Sequence, residues 1–392
     1  MNIGVDATCW WNNRGFGRFT RELLGALFQL DSAHHYYLFT DQPLAGLTQF
    51  DNVSIIEVSS SRPTTEAAVA DSSRSVRNMY GLYKAVADTP LDIMFFPAVY
   101  SWFPVPRSLP TIVTVHDAIA EHYPKLIFSS WKSRFFWTLK VKLAIWNSQR
   151  IMTVSAAAKE EIVEYIGVDP SIIDIAGGAP NPLFKFEHDP QKLQQVRAKM
   201  KLPADAPIIV YVGGLAPHKN LHGLFEGFEK ASAKGHVQDV HLVLVGDFEG
   251  GGFLSNSESL FETVEASPEL RGRVHFTGYV SDDELVALYS SALAVAMPSY
   301  SEGFGLPAIE AMACSAPVLS SNTGSLPEVV GDAGVYFDPF DTDAIASAII
   351  EMVENTELRA QLSANALARA PVYTWDRAAR LTLGHLEGLR RG

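Results

Sequence analysis

What most limits how this chain can fold is a unit that recurs along it: a short apolar run, a turn that contains glycine, then a segment with apolar residues at helical spacing. The first copy starts at residues 2–5 and passes through Trp10-Trp11-Asn12-Asn13-Arg14-Gly15-Phe16-Gly17-Arg18. It enters a helix with Phe19, Leu23, Leu24, Leu27 and Phe28 on one side. Strand-like runs follow at 36–40, 53–58, 92–96, 111–116, 150–154 and 171–175, and a second series at 207–212, 240–245, 274–277 and 292–297. Alternation of this kind predicts an α/β protein, with parallel sheets covered by helices on both faces.

The chain has 392 residues, too many for one ordinary domain, so two are expected, each with its own core. Glycine and proline cluster in Ala176-Gly177-Gly178-Ala179-Pro180-Asn181-Pro182, and a fresh strand begins near 207 after a polar segment, so the boundary is placed near residue 180. With 47% hydrophobic and 19% charged residues and no low-complexity tract, disorder is excluded. The opening residues show no basic region followed by a long apolar segment, and no stretch reaches the length of a membrane span. Cys9 and Cys314 lie far apart with no metal-like spacing, which fits a reducing, cytoplasmic setting. A formal charge of −13 argues against general nucleic-acid binding and leaves room for a local basic patch.

The stretch with the most chemistry in it is Ser299-Tyr300-Ser301-Glu302-Gly303-Phe304-Gly305-Leu306-Pro307-Ala308-Ile309-Glu310. Pro298 ends an apolar run, and Pro307 falls where a helix tolerates proline, in its first turn. The free N–H groups of that turn, approached through Gly303 and Gly305, suit a phosphate or sugar oxygen. For the loop alone an ordinary strand-to-helix turn is the plainer reading. The two glutamates change the balance: a carboxylate beside phosphate would be repelled, so their partners are expected to be hydroxyls, on a sugar and a ribose that flank a diphosphate.

Four other places qualify as candidates. After the strand at 207–212 comes Gly213-Gly214-Leu215-Ala216-Pro217-His218-Lys219-Asn220, where a lysine ahead of a helix can neutralise a diphosphate, though a solvated loop lysine reads the same. In the first loop, Gly15 and Gly17 lack the third glycine of a dinucleotide fingerprint, which leaves a phosphate or acceptor approach or a structural turn. His116 ends a strand, where α/β sheets gather ligands, and Asp117 after it is expected to orient the ring; a histidine with no chemistry is the alternative. Asp341-Thr342-Asp343 matches a metal-holding Asp-x-Asp pattern, but it also starts a helix, so capping explains it and no metal is expected.

Residues 123–150 stand apart. Lys125, Lys132, Arg134, Lys140, Lys142 and Arg150 occur there with no acidic residue, a local charge of +6, and Phe128, Trp131, Phe135, Phe136, Trp137 and Trp146 are interleaved with them. Peripheral contact with an anionic membrane and a core helix with a basic solvated face both fit.

Taken together, these motifs resemble a retaining glycosyltransferase of family 4, with the GT-B architecture of two Rossmann-like, doubly wound parallel-sheet domains that face each other across a cleft. The resemblance runs through Gly15-Phe16-Gly17-Arg18, His116-Asp117, Val154-Ser155, Gly213 to Asn220, Phe276-Thr277-Gly278 and, most specifically, Glu302 to Glu310. It implies an acceptor-binding domain at 1–180, with a last helix at 375–392 packed back on it, and a nucleotide-sugar domain at 181–374. Glu310 would bind ribose hydroxyls; Glu302 and the backbone of Phe304, Gly305 and Leu306 would hold the donor sugar and distal phosphate. Lys219, beside Gly213 and Gly214, would neutralise the diphosphate, and Gly17, with Gly15 and Phe16, would approach it from the other domain. The backbone at Tyr279 and Val280 would meet the base, and His116 the transferred sugar.

The implied donor is a GDP- or UDP-linked sugar, and no other cofactor is implied. The implied acceptor is a glycan or lipid-linked saccharide on the cytoplasmic side, in polysaccharide synthesis. Pro217-His218-Lys219-Asn220 resembles a subset that transfers mannose or related hexoses. One departure is Gly214, where many relatives have an arginine. A catalytically silent nucleotide-sugar or partner binder, and a GT-B epimerase or phosphorylase, remain as alternatives.

Overall fold

The computed structural model describes residues 1–12, 15–44, 47, 49–58, 76–246 and 257–391. Asn13 and Arg14 of the first loop lie outside the described residues. The chain divides into two compact units, Met1–Gly178 with Thr374–Gly392, and Ala179–Tyr373.

The first unit holds a seven-stranded sheet of β1 (Asn2–Asp6), β2 (His35–Thr40), β3 (Val53–Glu57), β4 (Ile93–Phe96), β5 (Thr111–Thr114), β6 (Arg150–Thr153) and β7 (Ile173–Ile175). Its order is β3-β2-β1-β4-β5-β6-β7, with every pair parallel. The second holds β8 (Ile208–Val212), β9 (His241–Val245), β10 (Val274–Gly278), β11 (Ala294–Met297), β12 (Val318–Ser321) and β13 (Gly334–Phe337) in the order β10-β9-β8-β11-β12-β13, again parallel. Central strands such as β4, Ile-Met-Phe-Phe, and β11, Ala-Val-Ala-Met, are buried at every position. Strands covered on both faces need that continuous apolarity.

Helices follow from 3.6-residue spacing. In α1 (Gly15–Leu30) the residues Phe19, Leu23, Leu24, Leu27 and Phe28 are buried. Farther along are α2 (Trp131–Asn147), α3 (Leu221–Ala233), α4 (Asp282–Ser290), α5 (Leu306–Ala313), α6 (Thr342–Glu354) and α7 (Trp375–Arg391). The last packs within the first unit: the Trp375 ring lies 5.7 Å from Phe19, Thr382 Oγ1 lies 3.6 Å from Met152 Sδ, and His385 Nδ1 lies 3.6 Å from Asp174.

Two strands carry no clear signal in the sequence. β12 reads Val-Leu-Ser-Ser, yet all four residues are buried, because Ser320 Oγ donates to the Ser321 carbonyl and Ser321 Oγ pairs with Thr323 Oγ1. β13 begins on Gly334. Both sheets reverse their strand order once, between β1 and β4 and between β8 and β11. In open α/β sheets ligands bind off the carboxyl ends of the strands at such a reversal.

Candidate functional site

In the second unit the reversal directs attention to the loops that leave β8 and β11. The first runs through Gly213 and Gly214 to a 3-10 turn, Pro217–Lys219, and ends on Asn220 in the left-handed region. Asn220 is buried and ties loops together: its Nδ2 donates to the Pro298 carbonyl after β11 (3.1 Å) and to the Pro339 carbonyl after β13 (2.7 Å). Gly223, one turn later, makes room for it; a Cβ there would lie 2.5 Å from Asn220 Oδ1. The Tyr300 N–H also donates to the His218 carbonyl at 2.9 Å.

This stitching sets Lys219 against Glu302. Lys219 Nζ donates to both carboxylate oxygens, at 2.7 and 2.9 Å, and Ser299 Oγ adds a third bond at 2.6 Å. Burial raises the Glu302 pKa, but the Lys219 charge and the hydrogen bonds from Lys219 and Ser299 outweigh it, so the carboxyl sits below its ordinary range. A carboxylate has about four lone-pair sites, so three donors leave room for a hydroxyl. Burial and the neighbouring Lys219 charge, against a smaller opposing effect of Glu302, push His218 down to about 3, so it is a neutral ring.

Behind Glu302 the chain is tightly fixed. Its carbonyl accepts from Ser325 N (3.1 Å) and Ser325 Oγ (2.8 Å), and a Cβ at Gly324 would lie 2.8 Å from Glu302 N. Gly305, with φ 84°, turns the loop into α5, where Pro307 occupies the first turn. That turn leaves N–H groups without intrahelical acceptors. Phe304 is buried edge-on against Tyr373, at 5.8 Å, and Leu306 is half-buried. Glu310 is buried inside α5, with Tyr289 OH 3.4 Å from its Oε2.

Other candidates are placed as follows. The Gly213 amide donates to the Val245 carbonyl, while the Gly214 carbonyl accepts from Tyr211 OH at 2.6 Å. Tyr279 and Val280 follow the edge strand β10; the Tyr279 ring is exposed and the Val280 side chain is core. In the first unit, Gly15 is exposed, Phe16 stacks on Tyr100 at 4.7 Å, and Gly17 presses on the backbone, where a Cβ would lie 2.1 Å from the Asn12 carbonyl oxygen. His116 sits edge-on to Phe19 at 4.8 Å, and burial pushes its pKa down to about 4.

The expected orientation of His116 by Asp117 is corrected. Among the described residues neither ring nitrogen of His116 has a partner, and Asp117 Oδ1 instead accepts the Ile119 N–H at 3.1 Å, closing the turn. Asp341 caps α6 by accepting the N–H groups of Asp343 and Ala344, and Asp343 pairs with Lys230 at 3.0 Å.

Reading the sequence missed Ser299, Asn220, Gly324, Ser325 and Tyr289 as site residues. Gly324 and Ser325 had a usable signal: Gly324-Ser325-Leu326-Pro327 repeats, one strand later, the glycine, leucine and proline of Gly305-Leu306-Pro307.

With this geometry in view, two family profiles match the chain: "Glycosyltransferase Family 4" over residues 13–176, and "Glycosyl transferases group 1" over 194–369. The chain belongs to the family 4 glycosyltransferases. Among its curated relatives, O-antigen chain mannosyltransferase B of Escherichia coli is 31% identical over 237 residues, which cover 60% of each chain. The serotype-specific mannosyltransferase WbdA of Escherichia coli is 25% identical over 420 residues, covering all of this chain and 48% of WbdA. These alignments thus span 60% and 48% of the two relatives' lengths. Of solved structures, the sucrose-phosphate synthase of Thermosynechococcus elongatus superposes with a TM-score of 0.74 at 21% identity, covering 99% of this chain and 98% of that one. The family's GT-B fold accounts for both doubly wound sheets.

Proposed function

We propose that the chain moves a hexose, mannose or a close relative, from a GDP- or UDP-linked donor to a hydroxyl of a glycan or lipid-linked acceptor, with retention at the anomeric carbon and without a metal. The observation that carries this reading is the Lys219–Glu302 pair at the strand-order reversal, beside the Gly305 turn into α5. The kinship with two mannosyltransferases supports the choice of sugar.

When the anomeric bond breaks, negative charge grows on the departing diphosphate. Preorganised N–H groups at 304–306 and the Lys219 ammonium stabilise that charge most in the transition state. Glu302, already held by Ser299 and Lys219, offers its remaining acceptor capacity to a sugar hydroxyl. Glu310 is assigned to the ribose and Tyr279, with the Val280 backbone, to the base. No side chain of the site is offered as a covalent nucleophile, so the acceptor hydroxyl attacks from the leaving-group face and gives its proton to the departing phosphate. In the first unit, neutral His116 and the Gly15–Gly17 turn are assigned to the transferred sugar and its approach. Independence from metal is supported by the capping role of Asp341.

Thermal shift against GDP, UDP, ADP and dTDP and their sugars identifies the donor, because ligand binding raises apparent stability. Turnover with that donor, followed by NMR of the product anomer, tests retention, and added chelator tests metal independence. Lys219→Ala is expected to cut turnover by about 10²-fold or more; activity near wild type would remove Lys219 from the mechanism.

A further inference from the structure

We propose that the outward face of α2 docks on an anionic lipid surface. The helix is apolar on both sides, a pattern ordinarily found in helices buried all round. Here only one side is covered: Ser133, Trp137, Val141, Ala144 and Asn147 are buried. On the other side Trp131, Phe135, Phe136, Leu139, Leu143 and Trp146 are exposed, with Trp131 at 74%, Phe136 at 65% and Trp146 at 60%. At about 100° per residue these six share one sector of roughly 140°.

Charge selects the occupant. Lys132 and Lys142 lie within the exposed stripe and Arg134 on its flank, all exposed, and the Arg107 guanidinium stands 3.6 Å over the Trp146 ring. Two neighbouring cations are engaged elsewhere: Lys140 Nζ donates to the Tyr100 carbonyl at 2.9 Å, and Arg150 pairs with Asp174. No acidic residue occurs between 123 and 150. A second copy of the chain meeting this face by two-fold symmetry would set the same cations against one another. A bilayer surface supplies anionic headgroups to the cations and an acyl boundary to Trp and Phe. The helix lies on such a surface and does not cross it; among the described residues no helix is long and apolar enough to span a membrane.

The inward side of the same helix gives docking a purpose. Trp137 Nε1 donates to Glu121 Oε1 at 2.8 Å, five residues after His116. The Trp137 ring lies 5.1 Å from Tyr100, which stacks on Phe16 between Gly15 and Gly17. A docked α2 therefore holds both candidate loops of this unit behind one helix, about 10 Å thick, from lipid, on the side from which a lipid-linked acceptor arrives; this last step rests on the transferase reading, and the docking does not.

The test is sedimentation of the full chain with phosphatidylcholine vesicles, with and without phosphatidylglycerol. The expected result is a preference for the anionic vesicles on the order of 100-fold, the factor for three basic side chains at a charged surface, that weakens with salt. Phe135→Ser with Phe136→Ser, and separately Lys132→Glu with Lys142→Glu, should abolish sedimentation while the melting temperature stays unchanged. Equal sedimentation with neutral and anionic vesicles, or full binding by either double variant, overturns the proposal. So does a dimer that Phe135→Ser with Phe136→Ser converts to monomer while vesicles go unbound. Vesicle binding without sugar transfer would leave the docking standing and remove the transferase reading.

Discussion

Lys219 is paired with Glu302, so the nearest cation of the proposed diphosphate site already faces a carboxylate. The position that would restore the balance is Gly214, which is exposed and where an added Cβ meets nothing within 4 Å. Gly214→Arg should fold normally and bind nucleoside diphosphate roughly tenfold more tightly, the worth of one exposed charge-assisted contact of about 1.4 kcal/mol. Calorimetry reads this directly, and unchanged affinity would mean that the loop does not face the diphosphate. Glu121 makes a second prediction. Burial, with an added contribution from Asp117, lifts its pKa to about 7 despite the Trp137 hydrogen bond. The folded chain then holds a proton that the unfolded chain has released above the ordinary value of 4.5. Stability from this group is therefore present below that value and lost as pH rises towards 7. Buried His116 and His218 act with the opposite sign, from about 4 and about 3 up to 6.5, so the difference between chains is the readout. Glu121→Gln keeps an acceptor for the indole, and its urea midpoint should gain on wild type between pH 5 and pH 8. Parallel pH profiles would refute the assignment.

At the scale of elements, α1 illustrates how a glycine expected at a ligand approach also serves packing. Gly17 lies against the Asn12 carbonyl, a main-chain obstacle that cannot rotate away. Gly17→Ala should cost about 1–3 kcal/mol, seen as a lower urea midpoint with an unchanged nucleotide-induced thermal shift. Gly15→Ala, in open space at the helix start, should be neutral or stabilising by up to about 1 kcal/mol. Equal effects at the two positions would show that the packing contact is not what distinguishes them. Most of the fold was legible because buried parallel strands write themselves as unbroken apolar runs, as in Ile93–Phe96 and Ala294–Met297. It failed at β12 and β13, where serine hydroxyls satisfied by neighbouring main chain and side chain, and a leading glycine, hide the burial. The glutamates and the lysine were legible from residue type and spacing. Their supports were not: Asn220 and Ser325 act through hydrogen bonds between loops 78 and 23 residues apart, and no local pattern encodes such a pairing. Asp117 misled for the same reason, since adjacency in sequence did not say that its carboxylate would close its own turn.

For the whole molecule, α7 is the element with the widest reach. It leaves the second unit at Tyr373 and packs in the first, on Phe19, Met152 and Asp174. A chain ending at Tyr373 should therefore show faster amide hydrogen exchange in β6, β7 and α1, with exchange in β8 to β13 unaltered. It should keep its thermal shift with nucleotide. Faster exchange confined to the second unit would contradict the packing.

That return of the chain also decides how it can be divided. The second unit is topologically an insertion, entered after Gly178 and left before Thr374. A protease that cuts after Gly178 leaves residues 1–178 tied to α7 only by non-covalent packing, while the second unit keeps α7 attached; freeing the second unit alone needs another cut before Thr374. A gene fragment ending at Gly178 encodes a first unit without one of its own helices, whereas residues 179–373 can be excised as one continuous piece.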